Sequence, residues 1–172
     1  QDFLRVRDFL KETYFAFGKP INWGIERWNW GRYHPSMFRG HNSSTTAANI
    51  RFWDGAVGIW ENDAGQIVGV VNTEQPVLNG EVFFQQRPHY DFLLDEMFDY
   101  AEATLVDPET RMLRLPIYEY DEPLQTVAER RGYRKKPDSL GHNAEFTISK
   151  LPEKKLPKGF EVRSMAEDGN LE

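Results

Sequence analysis

The sequence predicts a mixed α/β domain, and three stretches carry that prediction. Residues 2–17 repeat apolar side chains at helical steps. Residues 55–61 and 66–73 read as two strands joined by Asn62-Asp63-Ala64-Gly65, a run suited to a tight hairpin turn. Residues 80–105 pass from a strand-like EVFFQQ into a long amphipathic stretch with almost no punctuation.

Taken in order, the first helix presents Phe3, Val6, Leu10, Tyr14 and Phe17 on one face, and Gly18-Lys19-Pro20 stops it. A short second helix is expected over 24–33, ending before His34-Pro35 because the residue ahead of a proline is steered away from helix. Residues 39–50, RGHNSSTTAANI, read as a polar, mobile loop. Strands follow at 55–61, 66–73 and 81–86. The helix over 92–105 sets Leu93, Met97, Tyr100, Ala101, Thr104 and Leu105 on one stripe, with Asp91, Asp95, Asp99 and Glu102 opposite. That acidic side reads as a solvated face or one that meets a basic partner. Met112 to Ile117 reads as a further strand. Asp121 and Pro123 open a last helix that stops at Gly132. Strands are expected at 133–136 and 144–150. The prolines and lysines of 151–159 form a linker signature. Phe160 to Arg163 alternates like a new strand, expected to pair with a sheet edge in its own chain or a neighbour's; the latter would make a homodimer.

Composition narrows the function. With 172 residues, 40% hydrophobic and 14% aromatic, the chain can bury a core. A formal net charge of −6 disfavours general attraction to nucleic acid or anionic membrane and suits amine or cationic ligands. The absence of cysteine removes disulfides and thiolate chemistry and is compatible with a reducing, cytoplasmic setting. No apolar run spans a membrane and no signal peptide is visible, although the chain begins with Gln1. Asn42-Ser43-Ser44 matches a glycosylation sequon by chance. His34, His41, His89 and His142 show no ligand spacing, so no metal site is expected.

The order helix, helix, three strands, helix, strand, helix, two strands resembles the GNAT acyltransferase fold over roughly residues 1–150. The stretches that carry the resemblance are EVFFQQRPHY…LLDEMFDYAEATL, DEPLQTVAERRGY and LPKGFEVRSMAEDGNLE. The last looks like the opening of another such domain, so the chain is expected to be the N-terminal half of a tandem protein, cut shortly into its second half from residue 160. The resemblance implies a central, mostly antiparallel sheet with helices on both faces, acetyl-CoA as cofactor, and acetyl transfer to a small-molecule or peptide amine by direct attack on the thioester. It implies pantetheine pairing along Phe84, Gln85 and Gln86, with pyrophosphate near Arg87, His89 and Tyr90.

Two departures from the family stand out. Its glycine-bearing pyrophosphate turn is here Gln86-Arg87-Pro88-His89-Tyr90-Asp91, without glycine and with an added negative charge. The turn thus looks like a ligand turn that has lost its loop. Where the family often carries a tyrosine as general acid, this chain has Ala128. Tyr118 and Tyr120 are the nearest substitutes, or are packing residues. Glu81 is the candidate base, with Glu74 and Glu119 as alternatives, against a plain reading as solvated strand-end carboxylates. Trp23, Trp28, Trp30 and Tyr33 either line an acceptor pocket, suited by their faces to sugars or cations, or anchor a helix to the sheet. Three functions therefore remain open: an N-acetyltransferase, a non-catalytic support or ligand-binding module with the activity in the second GNAT-like domain of the same chain, and a sugar- or cation-binding domain.

Overall fold

A computed structural model of the protein describes residues 2–33, 43–137 and 156–162, the side chains of 43–45 excepted. The chain divides into two units, residues 1–134 and 135–172. The first contains helices α1 (Asp2–Thr13), α2 (Ile25–Tyr33) and α3 (Ser43–Gly55), strands β1 (Gly58–Glu61), β2 (Ile67–Asn72) and β3 (Phe83–Gln86), then α4 (Leu94–Thr104) and α5 (Glu122–Arg130). The sheet is antiparallel with order β1-β2-β3.

The β1–β2 turn forms because Asn62 organises it from the side chain. Its Oδ1 accepts from Ala64 N at 3.1 Å and Gln66 N at 3.0 Å, while Gly65 takes the positive φ of 71° that closes the loop. The register shifts between Trp60 and Glu61, which places one extra residue, Val68, in β2. Past that bulge the strand alternates strictly. Val71 and Phe84 face one layer, with Val82, Leu94, Met97, Phe98, Ala101, Leu105, Leu124 and Val127. Val70 and Phe83 face the other, with Val6, Phe9, Leu10, Trp23, Trp28 and Trp53. Helices therefore cover both faces, α1, α2 and α3 on one side and α4 and α5 on the other.

Helix α5 starts where Asp121 Oδ1 accepts from Leu124 N at 3.2 Å, and ends where Gly132, at φ 89°, lets Tyr133 N reach Ala128 O at 3.0 Å. The acidic face of α4 meets its basic partner inside the chain. Arg131 donates to Glu102 at 2.8 and 3.1 Å and also contacts Asp95 and Asp99, and Arg130 pairs with Asp95. These bonds hold the Asp95 and Glu102 carboxyls below their usual range.

Several expected elements differ. Residues 43–50 lie in α3, not in a loop; those of 39–42 fall outside the described residues. The first helix stops at Thr13, whose hydroxyl bonds back to Phe9 O at 2.7 Å, and 14–17 continue as turns. Met112 to Ile117 makes a single parallel bridge, Arg114 with Glu81, because Pro116 has no N–H to extend the ladder. Residues 133–136 are coil after the helix cap, and 144–150 lie outside the described residues.

In the second unit, Gly159 (φ 88°) turns the chain so that Phe160 N reaches Pro157 O at 3.1 Å. Phe160, Glu161 and Val162 are exposed coil; Arg163 lies outside the described residues. The expected edge strand is absent there, since a short alternation becomes a strand only when another backbone pairs with it.

Candidate functional site

The outer edge of β3 is where a cofactor amide would have to pair. In the antiparallel ladder Gln85 and Phe83 bond inward to β2, and Arg87 N reaches Val68 O at 2.9 Å. By alternation, Phe84 and Gln86 present their N–H and C=O outward. The edge is zipped at its start, where Val82 N donates to Arg114 O at 2.9 Å and Arg114 N to Gly80 O at 2.6 Å. Gly80 permits that approach: a Cβ there would lie 2.3 Å from Met112 O.

At the other end the edge is closed by Asn22. Gln86 N donates to Asn22 Oδ1 at 3.1 Å, and Asn22 Nδ2 donates to Gln86 O at 3.1 Å. A primary amide carries a donor and an acceptor side by side, so one side chain copies the peptide group of a neighbouring strand. Thr13 Oγ1 fixes the plug by accepting from Asn22 Nδ2 at 2.7 Å. The next residue continues the network: Trp23 N donates to Gln85 Oε1 at 3.2 Å, Gln85 Nε2 to Asn72 Oδ1 at 3.1 Å, and Asn72 Nδ2 to Thr73 O at 3.1 Å. All seven residues of this network, Thr13, Asn22, Trp23, Asn72, Thr73, Gln85 and Gln86, are buried.

The turn after β3 is similarly committed. Tyr90 N bonds Arg87 O at 3.3 Å and Leu93 N bonds Tyr90 O at 3.0 Å. His89 adopts a positive φ of 71° without glycine's freedom. Arg87 turns away towards α1: its Nε donates to Ile67 O at 2.8 Å, Nη2 to Glu12 at 2.6 Å, and the guanidinium lies 5.5 Å from the Phe9 ring centre. It lines a small cavity of about 250 Å³ with Glu12 and Gln66, on the α1 side of the turn.

Next to the plug lies a larger open cleft of about 560 Å³, whose lining includes Phe17, Lys19, Gln86, His89, Asp91, Tyr120 and Asp121. Three residues singled out in the sequence therefore meet here: Gln86 and His89 from the cofactor set and Tyr120 from the catalytic set. Tyr120 stacks on Tyr118 with ring centres 5.1 Å apart, its hydroxyl donates to Pro20 O, and Lys19 Nζ sits 4.7 Å from its ring centre. Tyr118 O accepts from Asp121 N and Gln125 Nε2, each at 3.0 Å. Glu81 is remote from this lining, held at the Arg114 bridge with its N–H on Asn79 Oδ1 at 2.9 Å. Phe84 packs its ring 4.7 Å from Phe98 in the α4 layer, Gln85 belongs to the buried network, and Tyr90 contacts Asn62 and Phe92.

The aromatic set divides. Trp28 is buried, stacked 5.4 Å from Phe3 with its Nε1 on Phe3 O at 2.9 Å, and Trp23 packs 4.2 Å from Phe83. Trp30 and Tyr33 are exposed. None of the four lines either cavity described above. Arg27 forks onto Glu74 at 2.9 to 3.1 Å, which neutralises that alternative base. Ala128 is buried against α4.

Sequence reasoning named Asp121 only as a cap and missed its place in the cleft. The residue is 6% exposed, and burial raises its pKa, opposed by the Leu124 N–H and reinforced by the charge of Asp91. A folded-state pKa raised above the unfolded value favours the folded protein at acid pH, and that contribution is lost as pH rises through the folded pKa. Asp121→Asn keeps the cap acceptor and removes the buried charge. Its stability at pH 7 is expected to equal or exceed wild type, with the gap closing as pH falls towards 4. Asp121→Ala should instead lose about 1 kcal/mol. Urea unfolding at both pH values checks this; equal losses in the two variants would contradict it.

Among the described residues no three His, Asp or Glu side chains gather as a metal site, and no helix is long and apolar enough to cross a membrane. Compared with known proteins, the chain matches no family model, no curated protein and no solved structure.

Proposed function

We propose that this chain is a GNAT-like domain acting as a non-catalytic support or ligand-binding module, beside a second GNAT-like domain that carries acetyl transfer to an amine. The proposed setting is cytoplasmic. The likeness to the fold draws support from the strand order β1-β2-β3, from helices on both faces and from the parallel Glu81–Arg114 bridge that follows α4 in sequence. The observation that carries the non-catalytic reading is the two-point bond between Asn22 and Gln86. It takes the backbone donor and acceptor that a pantetheine amide would need.

The turn adds to this. A phosphate site at a helix start depends on converging backbone N–H groups and a favourable dipole. Here three N–H groups near the turn are already bonded, Arg87 is held by α1, and Asp91 stands at the first turn. The acid position of the family is the buried Ala128.

Calorimetric titration with acetyl-CoA tests the reading. No saturable binding is expected from the folded chain. Saturable binding that weakens in Arg87→Ala would sink it and restore acetyl transfer in this domain as the better account.

A further inference from the structure

The loop that leads into β3 contains Asn79-Gly80, and its hydrogen bonds are arranged around one reaction. The Asn79 side chain folds forward over Gly80: its Oδ1 accepts from Glu81 N at 2.9 Å. That N–H polarises the side-chain carbonyl and stabilises negative charge that develops on Oδ1. Arg114 Nη2 donates to Asn79 O at 2.8 Å. Asn79 O and the Gly80 N–H belong to one peptide group. A cation on that oxygen therefore stabilises the amide anion left when the N–H loses its proton. Among the described residues neither the Gly80 N–H nor Asn79 Nδ2 donates to any acceptor. Gly80 also carries no Cβ to hinder attack by its own nitrogen.

We propose that Asn79 is a self-modification site, at which the Gly80 nitrogen displaces the Asn79 side-chain amide and Arg114 promotes the step. Hydroxide takes the Gly80 N–H proton. The nitrogen attacks Asn79 Cγ; the N–Cγ bond forms and the Cγ–Nδ2 bond breaks. The leaving nitrogen takes a proton from water and departs as ammonia. Water then opens the cyclic imide. Opening at Cγ leaves aspartate at 79; opening at the main-chain carbonyl leaves isoaspartate, which adds a carbon to the backbone. The product falls on the zip at the start of the β3 edge. Gly80 O accepts from Arg114 N at 2.6 Å, and a Cβ on Gly80 would lie 2.3 Å from Met112 O. A lengthened backbone cannot keep that close fit, so isoaspartate at 79 loosens the zip. The inference is independent of the module reading.

The test incubates the full chain at mildly alkaline pH and follows digests by mass spectrometry, with aspartyl and isoaspartyl peptides separated by chromatography. Conversion at Asn79 is expected to run faster in the folded chain than in urea, and faster than at Asn62 or Asn72 of the same sample. Arg114→Met should slow it about tenfold. Arg114 is exposed, and its bonds to Gly80 O and Val82 N come from its backbone, so the variant keeps the zip. A side chain that only held the loop still would give the opposite result, because its loss would free the loop and speed the reaction. Arg114→Lys, which keeps a cation, should restore part of the rate. Gly80 is buried. Slower conversion in the folded chain than in urea would mean that this enclosure keeps base from the N–H, and would overturn the inference. An unchanged or faster rate in Arg114→Met would overturn it as well.

Discussion

Asn22→Ala is expected to destabilise the protein by about 3 kcal/mol, with the loss visible as a lower urea midpoint at nearly constant slope. The substitution removes few apolar contacts, so the effect is polar in origin. It strips Gln86 N–H and Gln86 C=O of their partners at once and removes the donor that Thr13 Oγ1 accepts. Asn22, Thr13 and Gln86 are all buried, so water cannot simply replace the lost bonds. Each stranded group costs roughly 1–3 kcal/mol, and relaxation of the edge recovers part of the sum. A local readout separates this from a general loss of packing. The Gln86 amide should exchange with solvent markedly faster in the variant, while the amide of Gln85, bonded inward to β2, should change only with global stability. A loss under 1 kcal/mol, or unchanged protection of Gln86, would mean the amide plug does not close the strand edge.

Much of this architecture was legible because it is local. The hairpin was readable because Asn62 and Gly65 act within four residues of one another. The last helix was readable because Asp121, Pro123 and Gly132 each act on the adjacent backbone. The long helix before it was readable from its period, apart from its first turn, where Asp91 to Leu93 form a 3-10 segment. What failed was decided at a distance. Strand pairing at 112–117 depends on the distant edge at 80–82 running alongside it, and Pro116 stops that ladder after one bridge. The site shows the same division. The missing glycines and Ala128 were visible as residue types. The role of Asn22, 64 residues from its partner Gln86, left no mark in periodicity or composition. Arg87 was legible as a cation near the turn, but its direction depends on Glu12 and Phe9, which belong to another element. The tryptophans were seen as a group and divided only when burial separated Trp23 and Trp28 from Trp30.

Helix α3 is the sharpest case of structure set by a distant contact, and Trp53→Ala tests it. The stretch before Trp53 is polar and was read as a loop. Its Ala47 and Ala48 favour helix but cannot hold a short one alone. Trp53 supplies the missing anchor. It is 1% exposed, packs 4.7 Å from Trp28 and 6.4 Å from Phe3, and donates from Nε1 to Thr73 O at 3.0 Å. Gly31 of α2 is shaped to it, since a Cβ there would stand 3.0 Å from the Trp53 ring. Removing the indole should therefore cost about 4 kcal/mol, the sum of lost transfer and an unfilled cavity between α1, α2 and the sheet. Trp53→Phe keeps a ring in the cluster and should cost roughly half as much. Thr73 O retains Asn72 Nδ2 as a donor, so loss of the indole N–H does not strand it. If α3 is held by this contact rather than by propensity, the alanine variant should also lose helical signal before the main unfolding transition, whereas the phenylalanine variant should not. A cost below 1 kcal/mol with full helicity would reverse the argument, making α3 a helix by its own sequence and Trp53 a passenger on it.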